Sequence, residues 1–244
     1  SQQSSAADVP TSQLLKTLCD TLNAEIVIGN IHSLDDAFLW LKYTFLYQRI
    51  MQNPPMYGVN ANDLQYLKQS DPNLQHYLTS LLHSALLELS KNDIILYNIQ
   101  TRFISSKLDG QVAAKFYLSY HSIILYTSHI TPYMSDSDIL HLFSLSPEFQ
   151  FMGLRKDEKT ELEMLHQIVP IAIPTQATTH NENDIIQLPC KINILLQSYI
   201  SRAGLNGMAV AADMIYITQN AGRIMRALYE LLSIRKYSRS ALIA

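Results

Sequence analysis

The sequence predicts a mainly α-helical chain in two modules, three helices closed by a small hairpin and then an incomplete helical bundle. Three observations predict it. Apolar residues recur at helical spacing along most of the 244 residues, two short β-prone runs stand side by side (IILY at 94–97 and RFIS at 102–105), and only seven glycines and nine prolines interrupt a 48% hydrophobic chain. The composition supports real cores and leaves few turns.

The first helix signal is Ser33, with Asp35 and Asp36 behind it, which caps and charges a helix start in the manner of a capping box. This predicts a helix over 34–52, stopped by Pro54 and Pro55. Phe38, Trp40, Tyr43, Phe45 and Tyr47 make it unusually aromatic, and packing is the default meaning of such a stripe. Asp71 before Pro72 predicts the next start, because aspartate accepts early amides and proline at the first helical position loses no bond. Leu74, Leu78, Leu81, Leu82, Ala85, Leu86 and Leu89 continue at helical spacing to about Lys91. The two β-prone runs around Asn98 to Thr101 then read as a hairpin. Helices followed by a two-stranded hairpin are the order of a winged-helix domain, expected at 20–106, with residues 1–19 as tail and linker.

The remainder, 107–244, reads as a helical bundle. Expected helices cover 112–130, ended by Thr131-Pro132; 136–145, begun at Ser135 with Asp138 three residues on; 156–168; and a stretch opened by Pro189 and reaching about Arg202. Polar residues 175–183 read as a surface loop. After Gly204 and Gly207 comes a long helix at 211–233, and SRSALIA reads as the first turn of a further helix cut short.

Charge and motifs narrow the function. A net charge of −3 and a pI near 6.2 exclude a strongly basic autonomous nucleic-acid binder, so any contact with a polyanion must be local. Cys19 and Cys190 are the only cysteines, which points to a reducing compartment without a disulfide, and no apolar run approaches the roughly 20 residues of a membrane helix. No phosphate loop, dinucleotide fingerprint, zinc-ligand motif or nucleophile elbow occurs, so no catalytic residue, metal ligand or cofactor is expected. Asp157-Glu158-Lys159-Thr160 resembles an ATPase acidic box but lacks a preceding buried strand, and reads as a solvated helix face.

The informative element is the last long helix. At 100° per residue, Val210, Ala221, Ile224, Leu228 and Leu231 fall within about 40° of Ile217, while Gln219, Arg223, Arg226 and Glu230 lie opposite, flanked by Tyr216 and Asn220. From Ala221 onward five basic residues face Glu230 alone, a local charge of +4. Two readings stay open: a polyanion site, or a solvated face with an Arg226–Glu230 ion pair at i,i+4, which composition alone favours.

Longer motifs reverse that weighing. LNAEIVIGNI at 22–31 and WLKYTFLYQRIMQNPPMYGV at 40–59 resemble the segment after the second RecA-like domain of Ski-like superfamily-two RNA helicases. GQVAAKFYLSY at 110–120, KINILLQSYISR at 191–202 and ADMIYITQNAGRIMRALYE at 212–230 resemble the Sec63 homology unit of the same family, and the likeness extends over about 12–244. The stretch 143–171 is most similar to the spliceosomal branch, with the activating-signal-cointegrator branch second. The resemblance implies a non-catalytic accessory fragment, with ATP and Mg bound elsewhere in a full-length helicase. It implies a nuclear setting in pre-mRNA splicing, and partners that include RNA, RecA-like motor domains of the same chain and other spliceosomal proteins, without a membrane. It makes 211–233 a ratchet helix, with Asn220 and Arg223 on single-stranded RNA and Gln219 and Arg226 beside them. The motor-facing side of the winged helix would carry the aromatic residues of 34–52. Asp109-Gly110-Gln111 departs from the family's Leu-Gly-Arg, which leaves that turn without an implied role. A protein-interaction scaffold is the competing reading.

Overall fold

The computed structural model describes residues 8–59, 70–173 and 187–244. The tail residues before Asp8 and the polar loop expected at 175–183 lie outside them. The chain divides into two compact units, 1–114 and 115–244.

In the first unit, α1 (Asp8–Ile28) packs against α4 (Gln75–Lys91), and α2 (Leu34–Lys42) packs against α4 from another side. The stretch from Asp8 to Cys19, expected as tail and linker, is therefore helical. The reason is visible in its burial: Leu18, Cys19, Leu22 and Ile26 form one apolar stripe inside the core with Leu78, Leu82, Leu86 and Leu89.

The single helix expected over 34–52 is two, α2 and α3 (Phe45–Gln52). Thr44 breaks it. Its backbone is extended, its hydroxyl donates to the Leu41 carbonyl at 2.7 Å and accepts from the Tyr47 amide at 3.3 Å, so it ends one helix and caps the next. The aromatic stripe does not fill the core. Leu34, Ala37, Leu41 and Ile50 are buried, whereas Tyr43 and Phe45 are exposed and Trp40 is half-buried.

The helix signalled by Asp71-Pro72 begins later, at Gln75. Residues 71–74 form a turn with Leu74 at φ 51°, and the Asp71 carboxylate accepts from the His76 amide at 2.8 Å. Asp71 thus caps α4 across an intervening turn. Strands β1 (Ile95–Tyr97) and β2 (Ile104–Ser106) pair antiparallel, Ile95 opposite Ser106. Ser33 bridges Phe103, and the Ile104 amide donates to the His32 carbonyl at 2.8 Å, which adds a third short edge to the wing. The Asn98 side chain accepts from the Gln100 and Thr101 amides at 2.9 and 3.0 Å and shapes the wing tip.

The helix expected over 112–130 is also two, α5 (Leu108–Lys115) and α6 (Tyr120–His129). Tyr117 at φ 53° turns the chain and Ser119 caps α6. A Cβ on Gly110 would lie 2.3 Å from the Ile94 carbonyl oxygen, so α5 can approach the hairpin only as glycine there.

The second unit surrounds α9 (Leu188–Ile200), which packs on α7 (Asp136–Ser144), α8 (Lys159–Ile168) and α10 (Met208–Ile234). A short α11 (Ser238–Ala241) folds against α10. Because α9 has neighbours on several sides, every residue from Lys191 to Ser198 is buried, the polar ones included. Gln197 resolves its burial by pairing with a backbone: its amide nitrogen donates to the Ile171 carbonyl and its oxygen accepts from the Ile171 amide, both at 2.9 Å.

Candidate nucleic-acid interface

The long helix α10 spans 27 residues, about 40 Å of rise at 1.5 Å each. Its inward stripe is Val210, Ile217, Ile224, Ala227, Leu228, Leu231 and Leu232, all buried. Ala221, grouped with that stripe by periodicity, is half-buried. Gln219 and Arg226 face solvent on the opposite side, with Ile215 and Tyr229 near them, each 53% exposed.

Arg223 and Asn220 are arranged differently. The Arg223 guanidinium donates from Nε and Nη2 to the Asn220 side-chain oxygen at 3.0 and 2.7 Å, and Asn220 donates to the Tyr216 carbonyl at 2.8 Å. From Nη1, Arg223 donates to the carbonyls of Phe116, at 3.4 Å, and Tyr117. These are free carbonyls at the end of α5, so Arg223 satisfies a helix C-terminus and fixes the turn into α6. Its five N–H donors are not exhausted by these bonds, and it stays half-buried. The structure thus brings Asn220 and Arg223 together, and leaves Gln219 and Arg226 as solvent-facing neighbours.

Glu230 pairs with Lys115 at 2.6 Å instead of with Arg226. The i,i+4 ion pair of the solvated-face reading is absent among the described residues. Arg226 stands exposed on the outward face with no ion pair among the described residues.

Two anchors hold the helix. Tyr216 donates its hydroxyl to the Glu148 carbonyl at 3.1 Å and stands edge-on to Phe149. Asp213 accepts from Lys191 at 2.6 Å. Lys191 is fully buried on α9 and also pairs with Glu158, itself 2% exposed, and donates to the Gly153 carbonyl at 2.9 Å. Arg155 closes the cluster by pairing with Glu158 at 2.8 Å and Asp213 at 3.5 Å. Glu158 is therefore no part of a solvated face, as its tetrapeptide suggested: the buried ammonium draws it inward. Beneath this surface the Tyr126 hydroxyl, bonded to Ser146 at 2.7 Å, has its pKa raised by burial and by the Glu148 charge.

Sequence reasoning missed Lys115, the 116–117 turn and the Lys191 cluster. Only the buried lysine left a signal, as the one charge in the mostly apolar KINILL run. Among the described residues no group of three or more His, Cys, Asp or Glu side chains could hold a metal ion, and no helix is long and apolar enough to cross a membrane.

Residues 11–92 match the model described as a winged helix-turn-helix domain, and residues 106–244 match the Sec63 Brl domain. A DExH-box ATP-dependent RNA helicase, DExH12, of Arabidopsis thaliana is 39% identical over 230 residues, 94% of this chain and 10% of the relative. An activating signal cointegrator 1 complex subunit 3-like protein of Dictyostelium discoideum is 41% identical over 221 residues, 91% of this chain and 9% of the relative. The human U5 small nuclear ribonucleoprotein 200 kDa helicase is 37% identical over 227 residues, 93% of this chain and 10% of the relative. The chain spans about a tenth of the length of the curated relatives it matches. With more than half of its residues matched by one model and most of the rest by the other, the chain belongs to the Sec63 Brl domain family, joined here to a winged helix-turn-helix domain.

Proposed function

We propose that this chain is the non-catalytic accessory part of an ATP-dependent RNA helicase, and that single-stranded RNA runs along the outward face of α10. The observation that carries the reading is Arg226, exposed and without an ion-pair partner among the described residues, on one face with Gln219 and beside the Arg223–Asn220 pair. An exposed guanidinium suits phosphate or a stacked base, and amides beside it suit base edges. Arg223 serves chiefly to hold the helix end and the turn, while its one spare N–H and flat face border the path. ATP and Mg belong to RecA-like motor domains of the same protein, and the exposed Tyr43 and Phe45 supply apolar surface for that contact.

The names of the U5 relatives support a finer version. The strand would come from a small nuclear RNA duplex unwound in pre-mRNA splicing, in the nucleus, among other spliceosomal proteins. The Dictyostelium relative favours a second version, a helicase of the activating signal cointegrator complex. A pure protein-interaction scaffold has against it the exposed Arg226, which makes no ion pair among the described residues.

Arg226→Glu tests the reading at a solvated position that makes no ion pair among the described residues. It is expected to weaken binding of a fluorescein-labelled oligouridylate at low salt by roughly tenfold in fluorescence anisotropy, and to slow unwinding by the full-length protein. Unchanged affinity and unchanged unwinding would overturn the assignment.

A further inference from the structure

Two of the seven glycines lie inside described helices, and they differ in one respect. Gly110 is required by the chain itself, since a Cβ there would strike the Ile94 carbonyl and the Asn23 side chain. Gly222, midway along α10, is required by no contact among the described residues: a Cβ added there has none of their heavy atoms within 4 Å, and its φ is not left-handed. A glycine in a helix interior costs stability relative to alanine, because it has more backbone freedom to lose. This cost lies at the centre of the outward face. Gln219 precedes Gly222 by three residues and Arg226 follows it by four, so the three share one row, with Tyr229 alongside.

Resting on the proposed function, we infer that Gly222 is the point where single-stranded RNA comes closest to α10, its missing side chain letting a ribose or base lie against the helix backbone between Gln219 and Arg226. A side chain there would hold the strand off both neighbours. Gly222 is thus a positioning residue: it sets the distance at which the flanking donors can reach the strand. A polynucleotide is favoured over a partner helix because Arg226 beside the gap has no ion pair among the described residues and the segment from Ala221 onward carries a formal charge of +4.

The test uses Gly222→Ala in the 244-residue chain, with thermal unfolding and binding of a fluorescein-labelled oligouridylate as paired readouts. The expected result is a divergence. The Tm rises by about 2–4 °C as the helix gains propensity. Affinity falls by roughly tenfold as the methyl group intrudes on the strand. A falling Tm would overturn the inference, because the glycine would then be needed internally. Unchanged affinity for Gly222→Ala, with weaker binding by Arg226→Glu, would overturn it while leaving the RNA reading in place. Unchanged affinity for both variants would remove the RNA reading as well.

Discussion

Lys191 shows how much one buried side chain can decide. Its ammonium is fully enclosed, with Glu158, Asp213 and the Gly153 carbonyl as partners, and the cluster ties α9, α10 and residues 153–158 into one body. Removing one partner of such a pair leaves an unpaired charge in a medium that solvates it poorly, which costs about 3–5 kcal/mol. Lys191→Met is expected to lower the urea midpoint accordingly, and Lys191→Met with Glu158→Gln to recover part of the loss. Equal midpoints for wild type and the single variant would show that the cluster contributes nothing. Arg223 is the parallel case on the surface, where a residue singled out for RNA turns out to be bonded first to its own protein.

Helix starts are where sequence and structure can be compared most directly. Ser135 and Asp138 form a complete capping box on α7, and Ser33 with Asp36 does nearly the same on α2, where the carboxylate reaches the His32 amide at 3.1 Å. Both carboxyls are held below the ordinary carboxylate value, Asp138 first by the Ser135 amide and Asp36 first by the Ser33 hydroxyl. A pKa depressed in the folded state stabilises above the unfolded value and loses that contribution as pH falls through the folded one. Stability should therefore drop in the acid range below about pH 4, and Asp138→Asn should flatten part of that drop in pH-dependent urea melts. Ser135→Ala is expected to cost about 1 kcal/mol at neutral pH. Both caps were legible because a cap is a contact within four residues of sequence. The breaks at Thr44 and at 116–119 were not, since apolar spacing continues through them. The second break also depends on Arg223, more than 100 residues away.

At the scale of the whole chain the distribution of charge matters more than its sum. A net −3 repels a polyanion weakly overall, while the C-terminal +4 attracts one locally. Binding through two or three such cations should fall with salt at a slope of about −1.4 to −2.1 in log affinity against log salt, using the value for single strands. Titrations of the labelled oligouridylate at several salt concentrations measure this. A slope near zero would mean that phosphate contacts do not carry the binding.

The sequence by itself determined the helical class, the wing, the inward stripe of α10 and the family, because these rest on short-range periodicity, local caps and long motifs. Candidate residues on α10 could be named from the same pattern. Only the tertiary structure decided their states: Asn220 and Arg223 bonded to each other and to the 116–117 turn, Glu230 drawn to Lys115, Gln219 and Arg226 left open to solvent. A helical wheel gives direction around an axis but not what waits there. Partners from distant parts of the chain settle which donors are already satisfied and which remain for a ligand.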